Sequence, residues 1–573
     1  MALLYRESYF TQFLTVQGEQ QVLFIHNTYS DMPIMPVKDV NGEQLVIRVN
    51  LDHRFLAARL WRTQVGRIKL FLLDTDFPEN APENRKITQR LYVDDRDLRL
   101  LQEILLGIGG VTAIRAMGLK PDVYHMNEGH CAFLGVECIS GFMAGGDMFE
   151  KALQKVKTAN IFTTHTPVPA GNEVFNIERV DKFLGPYLET RNIPKKSFLD
   201  LVHCGVDQDP NAFNMTILAL RLSEHANAVS AIHGEVSRLM WHSIWPERPL
   251  EEVPIGSITN GIHTRTWMSS WIKNLLDKYL KPKWRYEVAN PKFWESLSKV
   301  PDEALWKAHQ ELKQILILDI RRRMVSQRER NGESKEAIAD ADRLLNPDWL
   351  TIGVARRVAL YKRATLLFTN RDWLKSLVGR DDRPIQIIFA GKAHPADQPG
   401  RALIREIYSE SRNPDYKGRI VFVENYDMAF ARRLVSGVDV WLNTPRRTME
   451  ASGTSGMKVA VNGGLNLSVL DGWWCEGYNG RNGWSVGEDK KYYNESEENN
   501  ADAYAIYRIL EDQIVPMFYE RDNKDFPRRW IAMMKESMKS IIPCFNSNRM
   551  IIEYMTKMYE PALLSVAKPV KKR

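Results

Sequence analysis

Five short apolar runs rich in β-branched residues, Leu350–Val354, Ile385–Ala390, Arg419–Val423, Val438–Leu442 and Leu465–Ser468, alternate with stretches of helical spacing. Strands that read as continuous apolar runs belong in a sheet covered on both faces, and alternation with helices makes that sheet parallel and doubly wound. Ligands of such sheets sit beyond the carboxyl ends of the strands, so the residues after each run are where chemistry is expected. The first half is less regular. Residues 20–75 are strand-rich, at Gln21–Ile25, Leu45–Val49, Phe55–Arg62 and Ile68–Asp74. Arg96–Met117 has helical spacing, and its internal Gly107–Gly110 predicts close helix packing or a kink. Short buried strands are expected at Asp122–Met126, Ala159–Thr163 and Ile255–Ile258, with one or two amphipathic helices over 213–240.

A chain of 573 residues is too long for one core. The pattern predicts two doubly wound, Rossmann-like α/β domains facing a cleft, 1–289 and 346–525. Residues 290–345 read as a charged, helical interdomain segment, and 526–573 as terminal helices with a basic tail. The net charge of +7 is small, and Lys and Arg are scattered except in Lys568–Arg573, so no nucleic-acid footprint is present. Mild basicity suits anionic substrates. Five cysteines without metal-ligand spacing fit a reduced, cytoplasmic setting, and no metal site is expected. No apolar run approaches the roughly 18–20 residues that span a bilayer, so no membrane partner is expected.

Polar clusters follow the strand candidates. Asn127-Glu128-Gly129-His130 and Thr163-Thr164-His165-Thr166 end two in succession, Thr259-Asn260-Gly261 ends another, and Asn425-Tyr426-Asp427 a fourth. Arg356-Arg357 and Lys362-Arg363 put four cations within eight residues after the first strand of the second half, a concentrated anion site. Glu450-Ala451-Ser452-Gly453-Thr454-Ser455-Gly456-Met457-Lys458 is a small-residue loop opening a helix, whose free N–H groups can bind an anion. Lys458 is either a counter-charge for a phosphate or an amine held for imine formation. A generic sugar-phosphate or nucleotide loop is the alternative reading.

In this order the motifs resemble those of the α-glucan (glycogen, starch and maltodextrin) phosphorylases, in their short bacterial and archaeal form, over essentially the whole chain. The resemblance implies two domains in the GT-B architecture and reversible phosphorolysis of terminal α-1,4-glucosyl bonds to α-glucose 1-phosphate. It implies pyridoxal 5′-phosphate on Lys458, held by Arg356, Tyr426, Gly453, Thr454, Ser455 and Gly456. Arg357 and Lys362 would bind substrate phosphate, and Glu128, His130, His165, Asn260, Glu450, Ser452 and Gly453 the sugar. His165, Arg357, Lys362 and Lys458 are the catalytic set so implied. The partners would be α-1,4-glucan, inorganic phosphate and glucose 1-phosphate, and a homodimer is compatible.

Two departures from the family pattern stand out. A Gly-Gly-Leu-Gly loop that the family carries upstream of the segment resembling Leu3-Leu4-Tyr5 is absent, so the expectation is an incomplete first domain with unpaired sheet edges. Leu91-Tyr92-Val93-Asp94-Asp95 has Val-Asp where short-type relatives have Gly-Gly. These departures keep a non-catalytic glucan-binding remnant in view. A nucleotide-sugar glucan synthase is the other alternative. Such enzymes carry a second Glu eight residues after the first, and here that position is Lys458.

Overall fold

The computed structural model describes residues 1–51, 54–203, 209–416, 418–487 and 492–567; Cys204 and the basic Lys568–Arg573 lie outside them. The second half is built on six parallel strands, Leu350–Arg357, Ile385–Lys392, Ile420–Val423, Val440–Asn443, Leu465–Val469 and Gly483–Val486. Across the sheet they run 420–423, 385–392, 350–357, 440–443, 465–469, 483–486. The first strand in sequence is therefore central, and the order reverses beside it, at the switch point where open α/β sheets bind ligands. Each of the five expected runs forms a strand. The sixth, Gly-Trp-Ser-Val, has no β-branched run and is held by pairing from Asn466↔Gly483 to Val469↔Val486.

The charged stretch before this sheet forms a 29-residue helix, Asp302–Arg330. From it His309 Nε2 and Lys313 Nζ reach the two oxygens of Asp439, at 2.9 and 2.8 Å. Asp439 also accepts the backbone N–H of Thr351 at 2.8 Å. This buried ion cluster ties the long helix to the amino ends of the two strands that flank the reversal.

In the first half, Tyr124–Asn127, Asn160–Thr163, His225–Ala228 and Ile255–Ser257 form a four-stranded parallel sheet in chain order, without reversal. The 225–228 strand corrects the helical reading of 213–240. His-Ala-Asn-Ala carries no strand signal of its own, and it is a strand because neighbours pair with it on both sides. The other strand-rich region also departs from a doubly wound layer. Arg54–Val65 pairs antiparallel with both Val46–Leu51 and Ile68–Asp74. The two-residue connection through Gly66, at φ +59°, is too short for the crossover that parallel strands need. Arg96–Met117 shows both expected features. A π-turn at Leu105–Gly109 interrupts the helix, and a Cβ on Gly107 would lie 2.7 Å from the backbone of Leu134.

Two segments cross between the halves. The hairpin Thr11–Leu14/Gln20–Leu23 docks on the carboxyl ends of second-half strands, with Gln12 Oε1 accepting Asn425 N at 2.9 Å and Gln20 Nε2 donating to Ala393 O at 2.9 Å. The C-terminal helices return to the first half, where Tyr554, Met558 and Ala562 pack with Ile161 and Ile258. Among the described residues no helix is long and apolar enough to cross a membrane.

Asp439→Ala leaves the buried Lys313 ammonium and the buried His309 ring without their carboxylate partner. It is expected to destabilise the fold by about 3–5 kcal/mol, read as a lowered denaturant midpoint at unchanged slope.

Candidate active site

Arg356 ends the 350–357 strand at the switch point, buried. Its guanidinium donates to two carbonyls, Lys362 O at 3.1 Å and Leu442 O at 3.0 Å, while Nε is buried without a partner. Burial without a bonded carboxylate pulls its pKa down to about 10. A desolvated cation with an orphan donor can bind an anion. The other cations of this segment divide. Arg357 is exposed at the strand end. Lys362 Nζ pairs with both oxygens of Glu450, at 3.1 and 2.8 Å. Arg363 belongs to the framework, buried against Asp502 at 2.6 Å. No α-helix begins at these cations; a 3₁₀ turn, Leu360–Lys362, follows instead, so they sit on a loop rather than against a helix dipole.

The 450–458 loop follows the 440–443 strand across the reversal. Arg356, Lys362, Glu450, Gly453, Ser455 and Gly456 line one small cavity with Asn466 and Trp473. Gly453 is at φ +69°, and a Cβ on Gly456 would stand 2.2 Å from Asn466 Oδ1, so both positions require glycine. Thr454 caps the helix Ser455–Ala460 without a side-chain capping bond. Ser452 is buried, and its carbonyl accepts Trp473 N at 2.8 Å. Lys458 Nζ lies 4.0 Å from the centre of the Trp267 ring, and burial alone pulls its pKa down to about 8. Tyr426 packs edge-on against Phe430, and burial pushes its pKa up to about 12. Asp471 fixes the loop by accepting Glu450 N and Gly472 N, each at 2.8 Å.

In the first half, Glu128 is the hub. Its backbone is in the left-handed region, φ 75°, which is costly for a side chain of this kind and characteristic of functional sites. Its carboxylate accepts the His165 N–H and, at 3.0 Å, the Thr166 hydroxyl. His165 Nε2 lies 2.6 Å from Asn127 Oδ1. Burial lowers the pKa of His165 and of His130, which keeps both rings neutral near pH 7. Asn260 accepts Arg549 Nη2 on its carbonyl at 3.2 Å.

The two groups of residues meet. Ser230 Oγ donates to Ala451 O at 2.6 Å, and Thr259 Oγ1 and Ala231 N both donate to Glu476. Asn462 accepts Ser269 N at 2.7 Å and donates to Trp267 O at 2.9 Å. Asp471 and Glu476 lie outside the sequence motifs, whereas Trp267 and Asn462 stand within the motif stretches after 259 and 458 with no role drawn from sequence. The position of Asp471 just beyond the strand run at 465–468 is the usable sequence signal for that residue.

A model of the carbohydrate phosphorylase family matches residues 58–512. The chain belongs to that family. It is 45% identical over 563 residues to a maltodextrin phosphorylase of Thermococcus litoralis, covering 98% of this chain and 66% of that protein. A glycogen phosphorylase of Mycobacterium tuberculosis is 40% identical over 576 residues, covering 99% and 66%. A glycogen phosphorylase of Aquifex aeolicus is 40% identical over 565 residues, covering 98% and 80%. The chain thus spans slightly under two thirds of the first two relatives' length.

With a pKa of about 8, Lys458 is expected to react with an amine-directed acylating reagent at pH 8 faster than a free lysine side chain, whose reference pKa is about 10.4. Its rate should rise as pH climbs through 7–9 and then level off. Peptide mapping across pH checks this, and a rate still rising steeply at pH 10 would contradict it.

Proposed function

We propose that this chain is an α-glucan phosphorylase, exchanging the terminal α-1,4-glucosyl unit of a glucan onto inorganic phosphate to give α-glucose 1-phosphate, with pyridoxal 5′-phosphate on Lys458. The observation that carries the reading is the buried Arg356 guanidinium, with its orphan Nε, in the same small cavity as the Gly453–Gly456 loop that leads to the desolvated Lys458. That combination fits a phosphorylated carbonyl cofactor. Arg356, Tyr426, Gly453, Thr454, Ser455 and Gly456 hold its phosphate side, and Lys458 supplies the amine. When bound, pyridoxal phosphate supplies a proton-exchanging phosphate beside the substrate phosphate.

The chain's own residues do the rest. Arg357 and Lys362 receive the substrate phosphate. Lys362 is paired with Glu450, so the arriving phosphate takes the place of that carboxylate and frees Glu450 for a sugar hydroxyl. With Asn127 Oδ1 as acceptor, the His165 ring carries its proton on Nε2 and offers Nδ1 to the 6-hydroxyl. Glu128 accepts the His165 N–H and so fixes the backbone there, and the His165 carbonyl dipole is offered to the positive charge that develops on the sugar. His130, Asn260, Ser452 and Gly453 complete the sugar pocket. In this reading the halves, divided at 289, 345 and 525, form the two sides of a GT-B cleft, and the protein works in the cytoplasm.

Borohydride reduction after loading with pyridoxal phosphate should label Lys458 in peptide maps, and a folded protein left unlabelled there overturns the cofactor assignment. Arg357→Ala or Lys362→Ala should weaken phosphate and glucose 1-phosphate about ten- to hundred-fold, as loss of one charge-assisted contact predicts, and maltodextrin far less. Equal losses for both ligands would argue against a phosphate role.

A further inference from the structure

Beneath the His165 rung lies a second polar rung that the reaction does not use. Asn127 and Thr163 pair in register, as do Thr163 and Asn227, so these side chains share one face of the four-stranded sheet. His125 and His165 sit two residues from Asn127 and Thr163 and so share that face too. His165 Nε2 meets Asn127 Oδ1 on the upper diagonal, and His125 Nε2 meets Thr163 Oγ1, at 2.8 Å, on the lower one. The C-terminal helices cap the lower rung. His125 Nδ1 lies 2.7 Å from Tyr559 Oη, and Asn227 Nδ2 lies 3.2 Å from Tyr554 Oη.

Donor and acceptor roles along this rung are fixed. Asn227 Nδ2 faces the Ala228 carbonyl at 2.9 Å, which can only accept, so Oδ1 is the atom turned to Thr163. Thr163 Oγ1 therefore gives its single proton to Asn227, at 2.7 Å. It must then accept from His125 Nε2–H, and the neutral ring's bare Nδ1 must accept from the Tyr559 hydroxyl. The same helices hold the sugar side at a second point, where Arg549 donates to Asn260 O and Ile262 N donates to Phe545 O.

We propose that Tyr559, with Tyr554, is a positioning residue for sugar binding: through His125, Thr163 and Asn227 it sets the register of the strand ends that present Glu128 and His165. The C-terminal helices are thus part of the sugar pocket's support, although none of the ladder residues touches substrate. This rests on the reading of His165 as a sugar contact.

Tyr559→Phe tests it by removing one hydroxyl while keeping the ring. In the full-length, cofactor-loaded protein, glucose affinity and the KM for glucose 1-phosphate should weaken about three- to ten-fold, with kcat within about two-fold and Lys458 trapping unchanged. Thr163→Val should do the same, and the double variant should lose little more than either single one. Ring-nitrogen NMR at pH 7 should find His125 in the Nε2–H form in the parent and altered in Tyr559→Phe. Should Tyr559→Phe fold poorly, Tyr554→Phe is measured in its place with the same expectation. An unchanged glucose affinity in a folded variant overturns the proposal. So does an equal loss in Ile552→Ala, on the exposed side of the same helix, since that would report a displaced helix. A parent chain that binds no glucose overturns the sugar-site reading itself, and the NMR result still decides the ladder.

Discussion

Everything at the centre of this molecule depends on one desolvated guanidinium. Arg356 stands where the sheet order reverses, inside protein, with carbonyls for two of its donors and nothing for a third. A folded chain keeps such a group only where the cost is offset elsewhere, by close packing around it and by a negatively charged guest. The framework is built accordingly. The buried His309–Lys313–Asp439 cluster fixes the amino ends of the two strands that flank the reversal, and Arg363–Asp502 fixes the loop beyond. Asp471 pins the Glu450 loop opposite. The cations that look alike in sequence thus separate into one buried with an unpartnered donor, one structural, one paired and one exposed.

The relation between the halves is equally specific. Trp267 from the first half covers the Lys458 amine, and Asn462 ties the two backbones beside it. Low solvation of that amine is therefore a property of the assembled pair of halves. The second half alone would leave the lysine closer to its ordinary basicity.

How much was legible beforehand follows from what each element needed from its neighbours. The strands from 350 to 469 were readable because burial on both faces demands apolar, β-branched residues. The 225–228 strand was not, since His-Ala-Asn-Ala is indifferent and its pairing comes from strands about 60 and 30 residues away in sequence. In the site, the polar clusters at strand ends were visible because residue type and position coincide there. The ion pair Lys362–Glu450 joins residues 88 positions apart, and no local pattern announces it. The left-handed backbone of Glu128 was hidden too, because the residue type argues against it.

The docked hairpin also constrains how the chain can be made. Gln12 is fully buried, and its partner Asn425 lies 413 residues further along. At about 5–20 residues per second, residues near the start wait roughly 20–80 s after their own synthesis before that partner exists. Until then the hairpin's buried polar groups have only water, and two exposed strands stand open to other chains. Its docking closes a loop of 413 residues, so this contact belongs late in folding, well after the local helices and hairpins have formed. Residues made long before their partner are thus among the last to find their place.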